Sequence, residues 1–205
     1  RYLDWTRAVA PGVEAFAAAA VVHCRYVYFY PLYRYQSGAS NAVSGNILVR
    51  ISFDHLDDPS NHFEYWSGDG AWQKTLDPRT VKVLFSAGVS ELSVRYHPRN
   101  QEWLAVYLTP ADKGDRLFYQ TAPSPEGPWS KPSTLLEPIA EVDPRSPLYD
   151  PHTFCYAGKE HRQFASGGNL VVTYVCNSAD DGTNPASFLR RNLFLYRPVV
   201  KIIKR

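Results

Sequence analysis

The segment YVYFYPLYR (26–34) determines the fold class predicted for this chain, because Tyr, Phe, Val and Leu fill nearly all of it. Such residues suit a pleated, half-buried surface, so the segment is predicted to be a β-strand. The 16 prolines and 12 glycines divide the rest of the chain into further short runs of this kind. These further predicted strands are NILVRISF (46–53), ELSVRYHP (91–98), EWLAVYLT (102–109), DRLFYQTA (115–122), NLVVTYVC (169–176) and LFLYRPVV (193–200). The chain is therefore predicted to be all-β, and only AFAAAAVV (15–22) has a helix-like composition.

The predicted strands recur as pairs, which indicates an internal repeat. In each pair, a strand that contains a tyrosine precedes a second apolar strand. The equivalent tyrosines are Tyr30, Tyr107 and Tyr174. The repeat units cover roughly residues 15–75, 80–140 and 150–203, and each has room for four strands and long loops. We therefore predict a single β-propeller domain over residues 1–205, or the C-terminal part of one, with an open sandwich as the alternative.

Three units are too few to close a ring, since propellers typically have about four to eight blades. The sequence also contains no methionine, not even at its start. We therefore expect upstream blades, in a preceding segment or in a second polypeptide, to complete the propeller.

Charge and hydropathy argue against two classes of partner. The net charge is only +2, and no stripe of basic and aromatic residues is present, so nucleic acid is not an expected partner. No apolar run approaches the ~20 residues of a membrane-spanning helix, so no membrane partner is expected either.

The three cysteines, Cys24, Cys155 and Cys176, form no metal-binding motif. One disulfide with one remaining thiol and three buried thiols are both compatible with the sequence. Because the sequence contains no HxxxH, CxxC or EF-hand pattern, no metal site is predicted.

Three passages together resemble a known family. They are NILVRISFDHLDDPSNHFEYWSGDGAW (46–72), SELSVRYHPRNQEWLAVYL (90–108) with APSPEGPWSKP (122–132), and GGNLVVTYVCNS (167–178). Over most of residues 20–200 the chain resembles the five-bladed propellers of glycan-active proteins. The resemblance points in particular to the domain-of-unknown-function family (number 4185) that includes bacterial endo-D-arabinanases. It implies a five-bladed ring to which this chain supplies about three C-terminal blades, no cofactor, and a channel Ca²⁺ ion by analogy alone.

The segment SELSVRYHP (90–98) contains the first candidate site. Alternation puts Glu91, Ser93 and Arg95 on one face of the predicted strand. A strand packed on both faces has little room for a glutamate and an arginine unless they point into the central cavity, where propellers bind ligands. Glu91 is therefore predicted to be catalytic, and Ser93 and Arg95 to contact the substrate. The alternative is a structural ion pair of Glu91 with Arg95, which would keep Glu91 ionised.

Cleavage of a glycosidic bond needs a second carboxyl group about 5 to 9.5 Å from the first. Asp150, in LYDPHTF, is the predicted catalytic partner of Glu91. Glu160 and His161, in GKEHRQF, precede another inner strand, and His161 is predicted to bind a sugar hydroxyl or orient a carboxylate. The structural alternative is that each of these is an ordinary loop residue.

Trp66 is the candidate for stacking against a sugar ring. It lies in FEYWSGDGAW (63–72), where Gly68-Asp69-Gly70 is predicted to form a turn. The alternative is that this segment is an outer-strand hairpin packed between blades. A second aromatic segment, APSPEGPWS (122–130), is predicted to be a rigid loop that delivers Trp129 to the core.

Together these residues predict a glycoside hydrolase-like propeller that acts on a polysaccharide through carboxylate acid/base chemistry, with arabinan as a candidate substrate. The alternatives are a non-catalytic carbohydrate-binding propeller and a structural propeller. The hydrolase hypothesis implies a carbohydrate polymer as partner and an extracellular or periplasmic location.

Overall fold

The structure, a computed structural model, describes residues 10–37, 41–109, 114–179 and 194–204. Sixteen strands in four sheets account for the regular structure of these residues, apart from 3-10 turns at Phe53–His55 and Arg162–Phe164. The prediction of an all-β fold is therefore confirmed. No helix in the described ranges is long and apolar enough to cross a membrane.

The chain divides into two compact units. The first comprises the chain up to Ser90 with Tyr96–Trp103 and Ala122–Trp129. The second comprises Glu91–Arg95, Leu104–Thr121 and the chain from Ser130 onward. Each unit contains its own core of buried aliphatic and aromatic side chains, around Ile47, Val49 and Phe63 in the first unit and around Leu104, Leu117 and Val172 in the second.

The strands from residue 13 to residue 85 form two sheets. The first sheet has the order β1-β4-β5-β9, with β1 Val13–Glu14, β4 Leu32–Ser37, β5 Asn41–Ile47 and β9 Val83–Phe85. The second has the order β2-β3-β6-β7-β8, with β2 Ala20–His23, β3 Tyr26–Phe29, β6 Val49–Ser52, β7 Glu64–Trp66 and β8 Trp72–Gln73. The predicted repeat unit 15–75 thus contains strands of two sheets rather than one.

The later strands form a four-stranded and a three-stranded sheet. The four-stranded sheet has the order β10-β11-β12-β13, with β10 Leu92–His97, β11 Glu102–Leu108, β12 Leu117–Ala122 and β13 Ser133–Leu136. The three-stranded sheet has the order β14-β15-β16, with β14 Thr153–Glu160, β15 Asn169–Ser178 and β16 Val199–Lys204. Four small antiparallel sheets are consistent with a propeller.

One long hairpin, residues 26–52, supplies the middle strands of both early sheets. Its register is the same on both sides of an interruption, since Phe29 pairs with Val49 and Leu32 pairs with Asn46. The predicted strands 26–34 and 46–53 are therefore each divided in two. Pro31 lies at the interruption, where its missing N–H removes a ladder bond and only its carbonyl pairs, accepting the Ile47 N–H at 3.1 Å.

The side chain of Asn46 stabilises this interruption. Its amide nitrogen donates to the carbonyls of Tyr30 (3.0 Å) and Val89 (2.8 Å), and its Oδ1 accepts the Val89 N–H at 3.0 Å. Asn46 is completely buried, so water cannot replace these bonds. It therefore ties the bend in the hairpin to the chain that follows β9.

The three tyrosines that the repeat aligned share one environment. All three are at most 1% exposed. The hydroxyl of Tyr30 donates to the Pro125 carbonyl, that of Tyr107 to Gln120 Oε1 and that of Tyr174 to Glu141 Oε2, at 3.2, 2.6 and 3.1 Å. Each tyrosine thus combines a buried ring with a satisfied hydroxyl, as burial of a phenol requires.

One predicted element is wrong, and one ambiguous segment is resolved. The alanine-rich segment contains no helix, because Ala20–His23 form β2 and pair with β3. The final strand is Val199–Lys204 and not 193–200. Residues 194–198 form a turn because Leu195 is buried in the second core and Pro198 has no N–H for a ladder.

The loop at residues 122–130 brings Trp129, which is half-buried, against two buried rings of the first unit. Trp129 packs edge-on against Phe85 and Tyr30, with ring centroids 4.9 and 6.3 Å apart. Its indole nitrogen donates to the Pro125 carbonyl at 3.3 Å.

The cysteine alternatives are resolved by the geometry of β14 and β15. Cys155 and Cys176 face each other across these strands and form a disulfide. Cys24 is an exposed thiol in the turn between β2 and β3.

We predict that Asn46→Ala lowers the free energy of unfolding by about 2–5 kcal/mol, since it leaves three buried backbone groups without partners. Urea denaturation measures this change. Asn100→Ala is the matched control, because the Asn100 side chain is exposed and bonds only to nearby Glu102 at 2.9 Å. If the two variants are equally stable, Asn46 does not have this structural role.

Candidate active site

Glu91 lies directly before β10 and is half-buried. Its charge acts on the hydroxyl of Tyr156, which projects from β14. The side chains of Asn177, from β15, and Tyr196, from the turn before β16, also act on that hydroxyl. Glu91, Tyr156, Asn177 and Tyr196 are called the Glu91 cluster below.

The Glu91 cluster keeps Tyr156 protonated. Burial, the Tyr196 side chain and the charge of Glu91 raise the pKa of Tyr156, and the Asn177 side chain lowers it, so that it lies at about 12. Tyr156 is therefore a neutral hydroxyl at physiological pH, suited to donating a hydrogen bond rather than to acting as a phenolate nucleophile.

The pairing of β14 with β15 explains why these side chains meet. Phe154 pairs with Asn177, and Tyr156 pairs with Val175, so all four side chains project from one face of the three-stranded sheet. The rings of Phe154 and Tyr156 stack with centroids 5.7 Å apart. The opposite face carries Cys155 and other buried residues of the second core.

Asp150 lies in the turn that leads into β14. Its carbonyl accepts the Thr153 N–H at 3.0 Å, which brings the two Cα atoms to within about 7 Å. Its Oδ1 accepts the His152 N–H at 2.8 Å and lies 3.3 Å from Nδ1 of the His152 ring. Because Thr153 pairs with Ser178, Asp150 is at the same end of the sheet as Asn177.

His161 lies at the other end of β14. Its Nε2 is 2.8 Å from Thr173 Oγ1, and its N–H donates to the Val171 carbonyl at 2.7 Å. β14 has 8 residues, which span roughly 26 Å at about 3.3 Å per residue. The structure therefore does not bring His161 together with Asp150.

Ser93 and Arg95, the other residues predicted for the first candidate site, each form a hydrogen bond with a backbone group. Ser93 is only 4% exposed, and its Oγ accepts the Glu160 N–H at 2.7 Å. Arg95 is half-buried and donates to the Val94 carbonyl at 2.8 Å. Glu160 is 3% exposed and pairs with Val172, so its side chain points to the buried face, away from Tyr156.

Trp66 belongs to a separate cluster in the first unit. The hairpin of β7 and β8 forms around Gly68-Asp69-Gly70 as predicted, and Trp66 pairs with Trp72, with ring centroids 5.1 Å apart. The Arg50 guanidinium lies between Trp72 and Tyr26, 3.9 and 4.2 Å from their ring centroids.

Glu64 holds this cluster together electrostatically. It accepts from Arg50 Nε at 2.7 Å and from Lys74 Nζ at 2.9 Å, and the Glu64 side chain is 18% exposed. Burial alone would raise the pKa of Glu64, but Lys74 and Arg50 outweigh it, so this pKa lies below its usual value. Both carboxylate oxygens are therefore engaged within the protein, and Trp66 is half-buried beside Trp72.

The sequence reasoning missed Tyr156, Asn177 and Tyr196. The alternation of Phe154 and Tyr156 was a signal for β14, although the segment around it resembled a loop. Nothing local connects Tyr196 to Tyr156, because the intervening chain includes all of β15.

The described residues contain no group of three or more His, Cys, Asp or Glu side chains suited to hold a metal ion.

Comparison with known proteins adds a family and a fold. Residues 3–173 match the model of a family described as a domain of unknown function, DUF4185. A solved structure described as a "putative hydrolase" from Bacteroides ovatus matches with a TM-score of 0.59 and 16% identity. The match covers 85% of this chain and 41% of that protein, so this chain spans about two fifths of its length. At this identity the likeness supports the fold alone. Comparison with curated proteins gives no match.

We predict that Glu64→Gln removes stability that wild type has at neutral pH and loses in acid. Because the folded-state pKa of Glu64 lies below 4.5, its ion pairs contribute fully above that pH, and the contribution disappears as pH falls through the folded-state value. Urea denaturation at several pH values between about 3 and 7 measures the difference between the two proteins.

The control for this prediction is Glu14→Gln. Glu14 forms an exposed ion pair with Arg34 at 3.1 Å, and such pairs contribute little. A stability difference for Glu64→Gln that does not change with pH would contradict the assignment.

Proposed function

We propose that this chain, which belongs to the DUF4185 family, is part of a hydrolase that cleaves glycosidic bonds in a polysaccharide, with arabinan as the first substrate to test. Glu91 and Asp150 supply the two carboxyl groups. Because the chain spans 41% of the solved B. ovatus protein, residues outside it can contribute to the complete site.

One observation carries the proposal: the Glu91 cluster and Asp150 lie at the same end of the three-stranded sheet. Glu91 and Asn177 both act on the Tyr156 hydroxyl, and Asn177 neighbours Ser178, whose partner Thr153 donates its N–H to the Asp150 carbonyl. Glycosidic cleavage needs two carboxyl groups about 5 to 9.5 Å apart, and the proposal requires this separation between Glu91 and Asp150.

The proposed reaction divides the chemistry between the two carboxyl groups. One donates a proton to the glycosidic oxygen as the bond to the anomeric carbon breaks. The other attacks that carbon or removes a proton from the water that does so. Tyr156 is held protonated beside Glu91, where it donates a hydrogen bond to the substrate or to the carboxylate. Asp150 is oriented by the N–H of His152.

The neighbour from B. ovatus supports the reaction class only by its description as a hydrolase. The substrate class rests on the kinds of side chain in the cluster. Carboxylates, amides and phenols bind the hydroxyl groups of sugars, and aromatic rings cover their apolar faces.

A non-catalytic carbohydrate-binding protein is the second candidate. The observation in its favour is that Asp150 Oδ1 is already engaged by the backbone N–H of His152 and lies close to its ring. A carboxylate whose oxygen is already hydrogen-bonded within its own loop is better suited to bind a sugar hydroxyl than to transfer a proton.

We also propose an extracellular or periplasmic location. The disulfide between Cys155 and Cys176 supports it, because structural disulfides persist mainly in oxidising compartments.

We predict that Glu91→Gln and Asp150→Asn each reduce arabinan hydrolysis by about 10²- to 10⁴-fold, the range for loss of a general acid or base. Release of reducing ends measures hydrolysis, and affinity electrophoresis in gels containing arabinan measures binding, which should survive. Asp58→Asn, an exposed acid in the turn after β6, is the control.

Three results would change this conclusion. Wild-type turnover in Glu91→Gln overturns the role of Glu91. Binding without cleavage by the wild-type protein selects the carbohydrate-binding alternative. Absence of both binding and cleavage across a panel of arabinan, arabinogalactan and xylan rejects a glycan function.

For the location, we predict that the protein from its native cells is found in the extracellular or periplasmic fraction with Cys155 and Cys176 linked. Mass spectrometry of a non-reduced digest detects the linked peptides. Recovery from the cytoplasm with both thiols reduced contradicts the proposal.

A further inference from the structure

The turn at residues 194–198 exposes two aromatic rings side by side in sequence. Phe194 is 69% exposed and Tyr196 is 63% exposed. Between them, Leu195 is only 7% exposed and belongs to the second core. A turn anchored by its central leucine therefore presents its two flanking rings to solvent.

Each exposed ring has a further restraint. The Arg197 guanidinium lies 4.6 Å from the ring centroid of Phe194. Tyr196 is followed closely by Val199, which pairs with Tyr174 of β15, and its hydroxyl acts on that of Tyr156. Rings held in this way lose little conformational freedom when a ligand covers them, which favours binding.

The position of the turn indicates the chemistry of the ligand. The turn directly precedes β16, whose Val199 pairs with Tyr174, so it lies at the end of the sheet that carries Asn177. Tyr196 and Glu91 also act on the same Tyr156 hydroxyl, so the rings lie near a carboxylate and an amide. A ligand that fits must offer C–H faces to the rings and hydroxyl groups to the polar side chains. Carbohydrates combine both in every residue, whereas an apolar peptide or lipid would leave Glu91 and Asn177 without suitable partners.

We infer that Phe194 and Tyr196 form a stacking subsite that holds a sugar residue of the polysaccharide next to Glu91. The inference rests on the proposed function and deepens it, since it assigns the substrate contacts of the same site. Trp66, in the first unit, is not needed for this subsite.

The experiment measures binding separately from cleavage. In the Glu91→Gln background, which does not consume the ligand, affinity electrophoresis in gels containing arabinan is compared for the parent, Phe194→Ala, Tyr196→Ala and Tyr196→Phe. We expect the two alanine variants to bind roughly 3- to 10-fold more weakly, the range for an aromatic contact. Tyr196→Phe should lose less, because it keeps the ring.

Phe53→Ala is the control for loss of an exposed aromatic ring, since Phe53 is 39% exposed in the turn after β6. In the otherwise wild-type protein, loss of the subsite should raise KM for arabinan with kcat little changed, because stacking acts on ground and transition states alike. A fall in kcat at constant KM would instead indicate that Tyr196 acts only by positioning Tyr156. Circular dichroism checks that the variants remain folded.

The outcomes separate this inference from the proposed function. If wild type cleaves arabinan and both alanine variants bind like the parent, the subsite is rejected and the proposed function stands. If the parent binds none of the glycans and wild type cleaves none, both fall. If binding is lost in Tyr196→Ala and Phe194→Ala but retained in Phe53→Ala, the subsite is supported.

Discussion

A single buried side chain, the amide of Asn46, makes the bend in the long hairpin stable. The interruption at Pro31 leaves backbone groups inside the protein without ladder partners. Asn46 supplies bonds to Tyr30 and to both polar groups of Val89, so the hairpin passes from one sheet to another without exposing unsatisfied groups. Because the two strands of this hairpin are central in both early sheets, all their neighbours depend on the same bend.

The second unit has a different constraint. The three-stranded sheet buries one face in the second core. On that face, the disulfide between Cys155 and Cys176 links β14 to β15. A sheet fixed on one face presents the side chains of the other face at defined positions. Tyr156 and Asn177 project from that other face, and this is why the Glu91 cluster, rather than the ion-pair network of Arg50 and Glu64, is the better candidate site. In that network the polar groups already bind one another.

Strands within the later sheets were predictable because their signal is local. The strands β10, β11, β12 and β15 each match a predicted run to within about two residues at either end, the usual uncertainty of element boundaries. The last strand was predicted too early, because the aromatic composition of residues 194–196 resembles a strand. These residues form a turn instead, because Leu195 is buried on the core side and Pro198 has no N–H for a ladder. Local composition does not reveal the burial of Leu195.

The sequence by itself determined the all-β class and the hairpin turn at Gly68-Asp69-Gly70, and it marked Tyr30, Tyr107 and Tyr174 as equivalent positions, since alternation, turn chemistry and side-chain type act over a few residues. Only the tertiary structure decided which cysteines pair, where the long hairpin bends, and that Glu91, Tyr156, Asn177 and Tyr196 meet. These outcomes depend on strand register and on which face of a sheet is buried. Both are set by contacts between segments far apart in the chain, so no local pattern encodes them.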